Sequence, residues 1–364
     1  MRIRHRAPAG VTMGLVAWYG LLLLLTSIAS ASKPCFPGCS CEVESFGLFD
    51  SFSLTKVDCS GVGSHILPVS LPLDTTYLDL SSNKLESVNE SALSGPGYTT
   101  LINLNLSYNR IVRISSTTFS KLRYLESLDL SNNRLEALPD HNFFYSPLVE
   151  LDLSFNTLVD IKINAFASQN NGKAISIDLS NNLISSISRS SDGPVPNIRS
   201  LNLSGNRLHS VCNLQGIPVR YLNLDKNPIS KIEKNDFLGL KDLTHLSLSN
   251  MENLTEIAPH SFNELSSLQV LDFSNNPNLK TLSKDVFFGL NSLQELNLIN
   301  LGLASLPKNT LTYLPAMKSI TWGKNIHCIK TMKESQFHLQ NGLVRREVLV
   351  CRNDRGAVPA QDVL

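Results

Sequence analysis

The sequence predicts an α/β solenoid, a horseshoe of stacked turns, and three observations carry that prediction. The pattern L-x-x-L-x-L-x-x-N-x-L is written out in full from Leu125 to Leu135 and recurs along most of the 364 residues. With its asparagine slot as marker, the turns fall at Asn83, Asn109, Asn133, Asn156, Asn182, Asn206, Asn227, Met251, Asn276, Leu301 and Asn325, at steps of 21 to 26 residues. Cysteines gather at the two ends of this array: Cys35, Cys39, Cys41 and Cys59 before it, Cys328 and Cys351 after it. A single turn cannot bury its apolar side alone, so a regular repeat of this length implies stacking into one continuous core with covered ends.

The pattern is the leucine-rich-repeat signature. The expected architecture is therefore an α/β leucine-rich-repeat solenoid with a parallel concave β-sheet of about eleven short strands. Its convex side is irregular or 3-10, and disulfide-stapled caps close both ends. Residues 1–31 read as a signal peptide, 32–73 as the amino-terminal cysteine-rich cap, 74–325 as repeats, 326–351 as the carboxy-terminal cap and 352–364 as a tail. Arg2, Arg4 and Arg6 precede an apolar run from Val11 to Ile28, and Ala29-Ser30-Ala31 offers the small residues at which a leader is cut. No later stretch approaches the ~20 apolar residues a membrane span needs, so a secreted chain without a membrane anchor is expected. In such a chain the end cysteines read as disulfides rather than as a metal site, and the spacing of the four in the amino-terminal cap permits three connectivities. Cys212 is left over and is expected to be buried and free.

Within each turn, slots four and six (Leu128 and Leu130, for example) alternate inward, while slots three, five and seven point out onto the concave surface. Eleven strands at roughly 4.8 Å give an inner arc about 50 Å long, which is the scale of a protein interface. The slot-nine asparagine lies in a buried turn and needs backbone partners for both its amide and its carbonyl. Met251 and Leu301 should interrupt that ladder. On the convex side Phe119, Phe143, Phe166 and Phe237 follow their asparagine by ten residues, and Phe262 and Phe287 follow their slot by eleven. Stacked aromatics at this spacing belong to the core. The row breaks at Asp192 and Gly216, which predicts an irregular outer wall in the middle of the array.

Apolar residues make up 42% of the chain and charged ones 17%, with a formal charge of +1 that becomes slightly acidic once the leader's arginines are removed. A basic stripe for nucleic acid is missing. No G-x-S-x-G, H-E-x-x-H or phosphate-loop motif occurs, and the histidines lack ligand spacing, so neither an enzyme nor a cofactor nor a metal is expected. The informative surface is the concave face. Its slot five carries Asp129, Asp152 and Asp178 on three successive strands, with Glu126 and Glu150 alongside. Such a row attracts a basic protein partner, although solvated aspartates are also the ordinary occupants of this slot. Tyr77, Tyr108, Phe155 and Tyr221 are candidate exposed aromatics on or beside the same surface, the residue type enriched in binding hot spots. Four sequons start at Asn89, Asn105, Asn202 and Asn253. Asn89 and Asn253 fall in loops, whereas glycans on Asn105 or Asn202 would cover part of the face. Monomer and concave-face homodimer both stay open.

The C-x3-C-x-C cap, the repeats and the two-cysteine end segment from Trp322 to Cys351 resemble the secreted small leucine-rich proteoglycan family over essentially the whole chain. The resemblance implies bridges Cys35–Cys41, Cys39–Cys59 and Cys328–Cys351. It departs from the family in a longer loop between Cys41 and Cys59, in the absence of an elongated repeat before the end cap, and in serine-glycine pairs without an acidic run. The chain therefore reads as a glycoprotein rather than a proteoglycan. The resemblance further implies an extracellular modulator of developmental signalling. Its implied partners are bone morphogenetic protein (BMP)-type growth factors and their antagonists, transforming growth factor β (TGF-beta) and Frizzled-type Wnt receptors, held by sequestration or competition. A collagen-binding matrix organiser is the alternative.

Overall fold

The computed structural model describes residues 33–34, 36–46, 52–169, 173–190, 193–303, 306–307, 310–323, 326–335, 344–353 and 356–358. The expected leader, Cys35, Asp192, Asn325 and the last residues of the chain lie outside them.

Each repeat opens on a short strand because the L-x-L of slots four and six alternates apolar and polar, the period of a half-buried strand. Eleven such strands, from Thr75–Asp79 through Ser127–Asp129 to Ser319–Gly323, run parallel and in register. They form the concave face of one sheet that reaches 17 strands with the caps. Slot four (Leu104, Leu128, Leu151, Ile177) and slot six (Leu106, Leu130, Leu153, Leu179) are fully buried behind it.

The convex side holds short 3-10 turns at Pro96–Tyr98 and Ile163–Phe166, a four-residue helix at Thr310–Tyr313 and small two-stranded parallel pairs. The phenylalanines stack as their spacing suggests. Phe119 and Phe143 have ring centroids 5.9 Å apart, Phe143 and Phe166 6.2 Å, and Phe237 and Phe262 5.5 Å. At the break Gly216 adopts φ +80, while Leu214 and Ile217 fill the core in place of a ring.

The slot-nine asparagines stitch one turn to the next. Asn133 donates from Nδ2 to the Leu130 carbonyl of its own turn (3.1 Å) and to the Leu106 carbonyl of the turn before (2.9 Å). Its Oδ1 accepts the Ile111 N–H, also from the turn before (3.0 Å). Asn109, Asn156, Asn182, Asn206, Asn227 and Asn276 repeat this arrangement. Met251 is buried in the same slot and supplies apolar contact instead.

At the amino end, Ser40–Phe46 pairs antiparallel with Phe52–Asp58, which joins the first repeat strand in parallel. Cys39 is bonded to Cys59. Cys41 is also disulfide-bonded, and its implied partner Cys35 lies outside the described residues. At the carboxy end, Ile326–Ser335 turns the sheet antiparallel and pairs with Val344–Asn353, with Cys328 directly opposite and bonded to Cys351. The segment expected as a tail is structured where it begins: Arg352 and Asn353 complete that strand, and Gly356–Val358 pairs back onto it. Sequence gave no sign of this, because the pairing is made by backbone groups. Cys212 is free and buried, and burial pushes its thiol up to about 12.

Asn133→Ala should leave the Ile111 N–H buried without a partner, while the Leu106 and Leu130 carbonyls each lose one donor but keep Asn109 Nδ2 and Asn156 Nδ2. An unsatisfied buried group costs about 1–3 kcal/mol, so denaturant unfolding should show a loss of about that size. A Met251→Ala change removes no such hydrogen bond and should act only through its cavity.

Candidate concave binding face

Register places the slot-five residues in one row: Asp79, Asn105, Asp129, Asp152, Asp178, Asn202, Asn223, Ser247, Asp272, Asn297 and Thr321. All are half-buried. Their first duty is local. Asp129 Oδ1 accepts the Ser131 N–H, Asp152 Oδ1 that of Ser154, and Asp178 Oδ1 that of Ser180, each at 2.8 Å. This side-chain turn two residues on suits Asp and Asn alike, which is why both occupy the slot.

The second oxygen separates them. Where an asparagine follows an aspartate, its Nδ2 donates to the neighbour's second carboxylate oxygen. Asn105 donates to Asp79 Oδ2 (3.2 Å), Asn202 to Asp178 Oδ2 (2.9 Å) and Asn297 to Asp272 Oδ2 (3.1 Å). No donor among the described residues reaches Oδ2 of Asp129 or Asp152. These two open onto a shallow trough of about 500 Å³ floored by Ser127, Glu150, Asp152, Ser176, Asp178 and Asn202. Burial pushes the Asp152 carboxyl above the ordinary carboxylate range; the Ser154 hydrogen bonds oppose this, and the charges of Asp129 and Asp178 add to it.

The other candidates divide. Glu150 is exposed on its strand beside Asp152. Glu126 precedes its strand and is paired with Lys173 Nζ at 2.5 Å, so its charge is partly neutralised. Tyr77 is half-buried with its hydroxyl 3.4 Å from Asp79 Oδ2, and burial pushes its phenol up. It is therefore less available than an exposed aromatic. Tyr221 is 45% exposed on the face and stacks on His245, ring centroids 4.5 Å apart. Tyr108 and Phe155, 61% and 54% exposed, stand at slot eight on the rim, with φ +53 and +55. Asn132, Asn181 and Gly205 hold the same left-handed position elsewhere. A bulky side chain there costs about 1–2 kcal/mol, so the two aromatics are carried at the expense of stability.

Asn89 and Asn253 are exposed off the face, while Asn105 and Asn202 lie within the row and engage their Nδ2 atoms there. Sequence reading missed two members of the surface. Asp58 of the amino-terminal cap stands opposite Asp79 and accepts the Ser60 N–H, extending the row by one strand; the short Val57-Asp-Cys59 stretch was its only signal. Asp225 accepts both the Ser247 hydroxyl and the Ser249 N–H (2.7 Å each), replacing the capping oxygen that Ser247 is too short to supply. No group of three or more His, Cys, Asp or Glu among the described residues is placed to hold a metal ion. No helix among them is long and apolar enough to cross a membrane.

A stacked parallel arc with a polar, open inner face defines a leucine-rich-repeat protein. The family model described as "Leucine rich repeat" matches residues 99–158, 146–208 and 250–300. The crystal structure of the mouse RP105/MD-1 complex shares the fold, with a TM-score of 0.59 and 24% identity over 73% of this chain and 45% of that one. Closer relatives narrow the class. Tsukushi-A of Xenopus laevis is 66% identical across 97% of this chain and 100% of its own length. Tsukushi of Gallus gallus is 63% identical across 93% of each chain, and that of Homo sapiens 53% across 93% of this chain and 97% of its own. The chain belongs to the Tsukushi family.

Asp152→Asn should stabilise the fold, since it keeps the Oδ1 acceptor and adds an amide facing the oxygens of Asp129 and Asp178. The raised folded-state pKa means the ionised carboxylate disfavours folding. The gain should thus be present at neutral pH, about 1 kcal/mol for one added hydrogen bond, and shrink as pH falls through the raised folded-state pKa and the wild-type carboxyl takes up its proton. Thermal unfolding at neutral and acid pH reads both. Phe155→Asn should likewise raise the unfolding midpoint, by the equivalent of roughly 1 kcal/mol, while weakening partner binding.

Proposed function

We propose that the chain is a secreted extracellular modulator of signalling that binds protein ligands through its concave face and acts by sequestration or competition, with no bond made or broken. One observation supports this above the others: Asp129 and Asp152 present unpaired oxygens over an open trough, at a cost in local electrostatics that the fold could have avoided with asparagine. Asn105 and Asn202 show the alternative in the same row. The partners that suit this reading are those the family resemblance implies, BMP-type growth factors and their antagonists, TGF-beta and Frizzled-type receptors, with the acidic strands meeting a basic patch on the partner. Glycans on Asn89 and Asn253 would leave the face open. A collagen-binding role in the matrix is the second reading, favoured by the long continuous arc.

The test is binding of the purified mature chain to immobilised BMP, a Frizzled cysteine-rich domain and fibrillar collagen, beside Asp129→Asn/Asp152→Asn/Asp178→Asn. These changes preserve every turn-capping oxygen. At least a tenfold loss toward a growth factor or receptor supports the reading. Collagen binding alone moves the chain to the matrix, and undiminished binding by the folded variant removes the function from this row.

A further inference from the structure

The concave face is two fields along one trough. Three strands beyond Glu150 in the slot-three row, register brings Tyr221, His245 and Val270 side by side. They line a second hollow of about 400 Å³, less polar than the first, which continues from it through the shared Ser200 and Asn202. The Tyr221 and His245 rings are stacked, and the His245 Nδ1 is fixed 2.9 Å from Thr244 Oγ1, so this end offers a preformed aromatic platform. Between the fields lie the small polar side chains of Ser176 and Ser200, with Asp178 and Asn202 beside them and the exposed Arg199 guanidinium reaching Ser176 Oγ at 3.4 Å. Asp152 and Tyr221 are three strand spacings apart, about 14 Å.

Taking the proposed ligand-binding role of this face as given, we infer that its occupant is an extended polypeptide segment lying across the strands, with a lysine or arginine over Asp129 and Asp152 and an apolar side chain on the Tyr221–His245 platform. Charge complementarity selects the basic end: two carboxylate oxygens lack donors, and no side-chain group among the described residues is arranged for a metal. The same charge repels polyanions such as sulfated glycans. An extended chain rises about 3.3 Å per residue, so the two anchors should stand four to six residues apart. A segment of that length fits the groove, whereas a lone basic side chain would leave the aromatic platform unused.

The experiment is panning of a random peptide library, displayed on phage, against the purified full chain. Enriched peptides should carry Lys or Arg and an aromatic or aliphatic residue at that spacing. As synthetic peptides they should lose at least tenfold in affinity on Asp129→Asn/Asp152→Asn and, separately, on Tyr221→Ala. Raised salt should weaken the wild-type complex but add little to the loss in the acidic-field variant. An unfolding midpoint at or above that of the wild type certifies the acidic-field variant, and an unchanged one certifies Tyr221→Ala, since Tyr221 is 45% exposed. Absence of enrichment, peptides without the basic–apolar pair, or binding indifferent to Tyr221 would overturn the inference. A growth factor that needs the aspartates but not Tyr221 would overturn it while leaving the ligand-binding role intact; one that needs neither would overturn both.

Discussion

The buried asparagine of each turn is the interaction on which the rest depends. A solenoid turn ends its strand with backbone groups that neither the strand nor water can satisfy, and unmade hydrogen bonds in that position are expensive. The asparagine side chain supplies a donor for two carbonyls and an acceptor for one N–H, and it does so across the boundary between turns. Each turn is therefore tied to its neighbour by directional bonds as well as by the leucines. The solenoid's step and register follow from this stitch, since a shift of one residue would leave every stitched group unpaired.

Register is what makes the concave face one continuous surface. Because the turns align, slot five becomes a straight row and slot three another, and a property repeated in sequence becomes a field in space. Turn capping demands only an oxygen at slot five, so evolution is free to choose aspartate or asparagine there without altering the fold. Where asparagine follows aspartate the row satisfies its own second carboxylate oxygen; where aspartate follows aspartate it does not. Electrostatic character is thus set by a substitution of one atom group, independent of stability except through the repulsion that the acidic strands retain. The rim shows the same trade. Tyr108 and Phe155 occupy backbone positions that favour asparagine or glycine, and exposed rings there serve contact better than they serve folding.

Much of this was legible in the residue order because a repeat converts local pattern directly into three-dimensional position. The inward leucines, the slot-nine ladder, its replacement at Met251, the phenylalanine stack and the row through Asp129, Asp152 and Asp178 all follow from counting. What escaped is what the period does not encode. Lys173 reaches Glu126 across 47 residues, from a segment outside the repeat pattern. Asp58 joins the row from a cap strand that carries no leucine signature. Tyr108 and Phe155 stand on the rim rather than the face because slot eight takes a left-handed turn, a backbone property that neither residue type announces. The finer division of the aspartates into hydrogen-bonded and open depends on the second carboxylate oxygen, which no slot assignment specifies.

Carboxyl footprinting of the free and ligand-bound chain would test the central claim most directly, using carbodiimide-driven amidation read by mass spectrometry. The partner would be whichever growth factor, receptor domain or selected peptide binds. Labelling of Asp129, Asp152 and Glu150 should fall several-fold on binding, while Glu233, Glu252 and Glu256, away from the concave strands, keep theirs. Unchanged labelling of the concave carboxylates with protection appearing at those outer ones would place the partner on the other side of the solenoid and contradict the account.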